Sequence, residues 1–172
     1  MQILTADRIE RVRADWVGEC PDLDTSPMEI IGRILRAEHL AGARIRRVLR
    51  DEGLDRGGFD VLATLRRSGT PYRLTPTRLY QELVLTSGAI THRVDALAKA
   101  GLVERISAGR DRRSNLVGLT AEGKSVAERA MAANLACEAA MIASLSAADR
   151  ELLGTLLKRL LQGIEEEPRE AQ

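Results

Sequence analysis

Between Thr75 and Thr120 two helical periods are followed by two short apolar runs that flank a tip rich in arginine. Thr75-Pro76 opens the first period. Threonine is a good N-cap, and proline is tolerated at the first helical position, where its missing N–H would have no partner anyway. Arg78, Leu79 and Leu83 carry that helix to about Leu85. Thr86-Ser87 supplies a second cap, and a second helix is expected to reach Lys99-Ala100, with Gly101 as its C-cap. Leu102 to Ile106 and Leu116 to Leu119 suit strands, and Ser107 to Ser114, with Arg110, Arg112 and Arg113, is the hairpin tip between them. Helix, turn, helix and a basic two-stranded wing make the pattern of a winged helix-turn-helix, whose second helix enters the major groove of DNA.

The periodicity of the second helix assigns its faces. At about 100° per residue, Ile90, Val94 and Leu97 share a face that must be buried. Gly88, Thr91, His92 and Asp95 lie opposite, free to meet base edges and phosphates. Arg93 belongs to neither face and points sideways along the protein. It reads as an ordinary surface or phosphate-binding arginine until the rest of the chain is considered.

Charge distribution agrees with a reading head. Residues 73–113 hold eight Lys/Arg against four acids, a net +4, whereas the whole chain is only +1, so the remainder is net −3. A locally basic head on a mildly acidic body suits specific DNA binding without general stickiness. No apolar run approaches the roughly 20 residues that span a bilayer. The N-terminal stretch, with Asp7, Arg8, Glu10 and Arg11, lacks the apolar core of a signal peptide, so a cytoplasmic protein is expected, with no membrane partner. Cys20 and Cys137 form no C-x-x-C, and with His39 and His92 they give no metal-ligand spacing, so neither metal nor cofactor is expected. No phosphate loop, nucleophile elbow or His–nucleophile pairing is present, which argues against an enzyme.

The expected fold is mainly α (α+β): a winged helix-turn-helix flanked by N- and C-terminal helices that form a homodimerisation region. Residues 1–26 hold an extra helix and linker. That helix is expected over 5–18, with Thr5 as cap, Ile9, Val12 and Trp16 on one face, and Gly18 at its end. A helix carrying the only tryptophan on so charged a stretch must dock on something, and Trp16 reads as its pin to the body. Residues 27–53 and 121–165 are the dimerisation helices. Ser26-Pro27 opens one, with Ile30, Ile34, Ala37, Ala41, Ile45 and Val48 in helical spacing and Gly42-Ala43 inviting another helix. An alanine-rich helix from Ala121 to about Leu145 and a leucine-faced helix after Ser146-x-x-Asp149 form the other part. Residues 54–120 are the DNA-binding lobe. In it Leu54 to Gly58 is read as loop and cap, and Asp60 lies in the first turn of a helix ending at Ser68-Gly69. Residues 166–172 are a tail expected to fray. The terminal helices hold more apolar surface than a small winged lobe can cover, and a two-fold dimer would set two reading helices about one DNA turn apart on a near-palindrome.

Gly101 to Gly123, GLVERISAGRDRRSNLVGLTAEG, resembles the wing signature of the MarR-type (multiple antibiotic resistance regulator) transcription factors, through Gly101-Leu102-Val103, Asp111-x-Arg113 and Leu119-Thr120. The resemblance covers roughly residues 28–165. It implies a homodimer on double-stranded DNA, contacted through Thr86, Ser87, Gly88, Thr91 and His92 and through Arg110, Arg112 and Arg113 of the wing, with Asp111 bracing the wing. RADWVGECPDLDTSPM and GGFDVLATLRRSG resemble the urate-responsive (UrtR/PecS-type) branch. Its ligand pattern falls on Trp16, Asp60, Arg93 and Arg105, and a position that is often Asn falls on Ser68. The resemblance implies a small anionic ligand such as urate or xanthine. A tryptophan face, an arginine fork and an aspartate that holds an arginine while the site is empty suit a flat anion.

The expected function is a ligand-responsive repressor, released from a palindromic operator by the anionic purine. Alternatives keep the fold with a phenolic or carboxylate ligand, or with Cys20 or Cys137 as a redox sensor.

Overall fold

The computed structural model describes residues 6–83, 87–107 and 115–166. Seven helices and three strands run α1 (Arg8–Glu19), α2 (Ser26–Asp51), α3 (Arg56–Arg67), β1 (Arg73–Leu74), α4 (Pro76–Leu83), α5 (Ser87–Lys99), β2 (Val103–Ser107), β3 (Asn115–Leu119), α6 (Ala121–Met141) and α7 (Ala147–Glu166) among the described residues.

The lobe from α3 to β3 is the winged helix-turn-helix that the sequence predicts. Pro76 opens α4, and the Arg78 backbone N–H donates to Thr75 Oγ1 at 3.1 Å. Gly101 takes φ +73°, the left-handed conformation that ends a helix without strain only in glycine. The Leu102 N–H then closes α5 by donating to the Leu97 carbonyl at 2.9 Å. The sheet is antiparallel in the order β1-β3-β2, with Arg105 opposite Val117 and Leu74 also opposite Val117. Sequence reading does not find β1, because two residues carry no periodicity.

One core holds the lobe to the longer helices. Leu49 of α2, Leu62 and Leu65 of α3, Leu79 of α4, Val94 of α5, Val117 of β3 and Ala130 of α6 are all essentially removed from solvent. Ile90 and Leu97 join them, as the helical spacing requires. The joint between lobe and α6 is made of backbone. Thr120 caps α6 by accepting from the Gly123 N–H at 2.9 Å, and its hydroxyl donates to the Gly101 carbonyl at 2.8 Å. Gly123 lies directly on the Leu102 carbonyl: a Cβ there would stand 2.7 Å from the carbonyl carbon and closer still to its oxygen.

The structure corrects several boundaries. α1 starts after Asp7, not Thr5: Asp7 and Glu10 form a reciprocal capping box, and the helix passes through Gly18 to Glu19. Gly57 and Gly58 are not loop but the buried first turn of α3, capped by Asp55. This places Asp60 beyond the first turn. α6 ends at Met141, short of Leu145, and α7 continues to Glu166, into the expected tail. Within the chain, the nearest group over Gly42 is the Arg46 guanidinium of its own helix.

α1 is held on α2 by Ile9, which packs on Gly32, and by ion pairs of Arg33 with Asp7 and Glu10 and of Arg13 with Glu29. Trp16 is not the pin, for it remains 48 % exposed. α7 contains no buried residue: Leu152, Leu153, Leu156, Leu161 and Ile164 all face outward.

Candidate nucleic-acid interface and ligand site

α5 presents Gly88, Thr91, His92 and Asp95 to solvent, on the side opposite buried Ile90, Val94 and Leu97. Asp95 is not free to meet DNA, as the sequence suggested. Arg105 of β2 donates to it at 2.6 Å. Opposite charges on a shared exposed face draw helix and wing strand together and remove a carboxylate from the surface that DNA would approach. Thr86, the side chain of Ser87, and Arg110, Asp111, Arg112 and Arg113 of the wing tip lie outside the described residues.

Arg93 emerges between the two faces of α5 and turns onto α3. A Cβ built on Gly57 would lie 2.5 Å from Arg93 Cζ and 2.9 Å from Nη2, so the guanidinium occupies the place of the missing side chain. Arg93 is half-buried, and among the described residues no carboxylate pairs with it. Beside it, between α5 and the α2–α3 turn, is a cavity of about 230 Å³ lined in part by Leu54, Asp55, His92, Arg93 and Leu97.

The other expected ligand residues do not gather here within one chain. Asp60 does not hold Arg93 or Arg105, because Arg56 of its own helix donates to it at 3.1 Å. Asp60 nevertheless lies three residues beyond Gly57 on α3, hence on the side where Arg93 rests. Arg105 is committed to Asp95. Ser68 is the C-cap of α3, at the far end from Gly57, and its hydroxyl donates to the Leu65 carbonyl at 2.7 Å. The cleft beside Trp16 is lined by Val12, Asp15, Trp16 and Glu19, all of α1. Sequence reading missed Gly57. The signal for it is the Gly57-Gly58 pair, unusual inside a helix and explained only by the close approach of another element.

A second groove, of about 400 Å³, runs between α3 and α6 past Arg66, Arg67, Met131 and Leu135. Its cations are already paired: Arg66 donates to Glu128 at 2.8 Å and Arg67 to Glu82 at 2.9 Å. Tyr72 is flanked by Arg66 of this groove and by Lys124, 4.9 and 5.3 Å from its ring. A hydrogen bond from Thr70, followed by those two cations, lowers its phenol pKa.

An exposed α5 ahead of an antiparallel wing, on a core shared with long helices, defines a winged-helix DNA-binding protein. The chain belongs to the MarR family of transcriptional regulators, whose model matches residues 52–114. It is 34 % identical over 145 residues to the HTH-type transcriptional regulator PecS of Dickeya dadantii, covering 84 % of this chain and 87 % of that one. It is 31 % identical over 112 residues to the HTH-type transcriptional repressor YetL of Bacillus subtilis, covering 63 % and 66 %. Its fold is similar to that of Sco3205, a MarR family regulator from Streptomyces coelicolor solved in complex with DNA, with a TM-score of 0.72, 24 % identity, and 87 % and 95 % of the two chains covered. These relatives are transcriptional regulators, not enzymes. Among the described residues no helix is long and apolar enough to cross a membrane.

Proposed function

We propose that this regulator is a homodimeric repressor released from a palindromic operator by a small aromatic anion of the urate or xanthine type. The observation that carries the ligand reading is Arg93: a half-buried guanidinium on the reading helix, without a carboxylate partner among the described residues, beside a cavity of about 230 Å³. The α3–α6 groove is the weaker candidate, since an anion there would have to displace Glu128 or Glu82 from its arginine. A ligand that draws on Arg93 acts on α5 directly. If it prefers a pose of α5 that does not match DNA, linkage requires it to lower DNA affinity. Trp16, Asp60, Arg105 and Ser68 belong to the same proposal, but their separation within one chain leaves Arg93 as the residue on which it rests.

The outward apolar face of α7, and the exposed Trp16 of α1 and Ile30, Ile31 and Leu35 of α2, support the dimer, because so much large apolar side chain is rarely left open in a monomer. DNA contacts are assigned to Thr86, Ser87, Gly88, Thr91, His92, Arg110, Arg112 and Arg113. Fluorescence anisotropy with operator DNA tests the ligand: micromolar to millimolar urate should weaken binding by the wild type and leave Arg93→Ala unresponsive. Operator affinity that stays constant in the wild type across that range would sink the purine reading.

A further inference from the structure

Gly57 and Gly58 form the first turn of α3, and both are buried. Glycine inside a helix is costly in backbone entropy, so a compensating close approach is expected. At Gly58 the approach is tight but less severe: an added Cβ would meet Asp55 Oδ1 at 3.0 Å and Leu97 Cδ2 at 3.5 Å. At Gly57 the nearest atoms belong to the Arg93 guanidinium, with Cζ at 2.5 Å and Nη2 at 2.9 Å. Any other residue at position 57 would place a Cβ inside that group.

Nothing else on α3 retains Arg93. The nearest carboxylate of that helix face, Asp60, is occupied by Arg56. A cation at the first turn of a helix also meets the positive end of the helix dipole, which the Asp55 N-cap lining the same cavity offsets. Among the described residues no ion pair ties Arg93 to α3, and the bare backbone at Gly57 gives its guanidinium room. Arg93 is flanked in sequence by His92 and Thr91 on the exposed side and by Val94 in the core. Its position therefore helps set how far α5 is rolled about its axis, and so where His92 and Thr91 point.

We propose that Gly57 is a positioning residue for the reading helix: its bare backbone is the seat that takes the Arg93 guanidinium and fixes the roll of α5 on α3. The guanidinium is the far end of a flexible side chain, so a Cβ at position 57 displaces Arg93, not the backbone of α3. Gly57→Ala thus evicts Arg93 while favouring the helix itself. The inference rests on DNA binding by α5 and not on the purine reading, and a wild type deaf to urate leaves its test unaltered.

The test uses the full chain, an operator duplex selected by the wild type from random sequence, and an unrelated duplex. Gly57→Ala is expected to bind the operator roughly tenfold more weakly, as a displaced coupling contact does. It should bind the unrelated duplex as the wild type does and melt no lower. In an Arg93→Ala background the added Gly57→Ala is expected to change operator affinity hardly at all, because the seat then has no occupant. Unchanged operator affinity in the single variant overturns the proposal. So does the same loss in the Arg93→Ala background, or a fall in melting temperature with an equal loss on both duplexes.

Discussion

Gly123→Ala is expected to destabilise the protein severely, although alanine is the better helix former. The new Cβ would stand 2.7 Å from the Leu102 carbonyl carbon. Carbon atoms rest at about 3.5–4.0 Å, so α6 must retreat from Leu102 by roughly 1 Å. Here the obstacle is backbone, not the end of a side chain, and cannot rotate away. Overpacking of this kind costs about 1–3 kcal/mol. The retreat also strains the Thr120 N–H bond to Leu102 and the Thr120 hydroxyl bond to Gly101, now 3.2 and 2.8 Å. Each such bond contributes about 1 kcal/mol. Against these stands a helix-propensity gain of at most about 1 kcal/mol. The net is a loss of roughly 2–4 kcal/mol, or about 5–15 °C in melting temperature for a chain of this size. Thermal unfolding followed by circular dichroism, at matched protein concentration because the proposed dimer would shift the midpoint, measures it. A variant that melts with the wild type or above it would refute the close approach as the reason for glycine at this position.

Asp95→Asn should strengthen binding to unrelated DNA by up to about fivefold, the worth of one exposed charge, whereas Arg105→Ala should weaken it; filter binding at low salt separates the two, and equal behaviour would mean that the pair does not shape the DNA face. Leu156→Lys should shift the protein toward monomer in analytical ultracentrifugation and cost operator affinity with it; an unaltered mass would remove α7 from the dimer interface. The Asp7 carboxyl is held below its ordinary value of 3.8 by the Glu10 N–H and then by Arg33. Its folded value lies below its unfolded one, so its contribution to docking α1 is present above 3.8 and is lost as pH falls through the folded value. Quenching of the half-exposed Trp16, the only tryptophan, by acrylamide should therefore increase only in acid in the wild type, but already at neutral pH in Asp7→Asn; equal quenching of the two at neutral pH would show that Asp7 does not anchor α1.

What the sequence determined by itself is the local grammar. Caps such as Thr75, Thr120 and Gly101, the helical spacing of Ile90, Val94 and Leu97, and the short apolar runs of the wing are set by interactions within a few residues, so they are legible along the chain. They were enough to define the winged helix-turn-helix and the exposed face of α5. The two-residue β1 escaped because it exists only through pairing with β3. The tertiary structure alone decided which charges meet. Spacing cannot show that Arg105 goes to Asp95 or that the Arg93 guanidinium rests on Gly57, whereas the Arg56–Asp60 pair, four residues apart on one helix, is open to it. It also decided the meaning of Gly57 and Gly123. Both read as neutral or as loop in sequence, and both are required where another element comes closer than a side chain allows. Partners distant in sequence are set by how whole elements pack, and that information is carried by the core as a body, not by any short stretch of it.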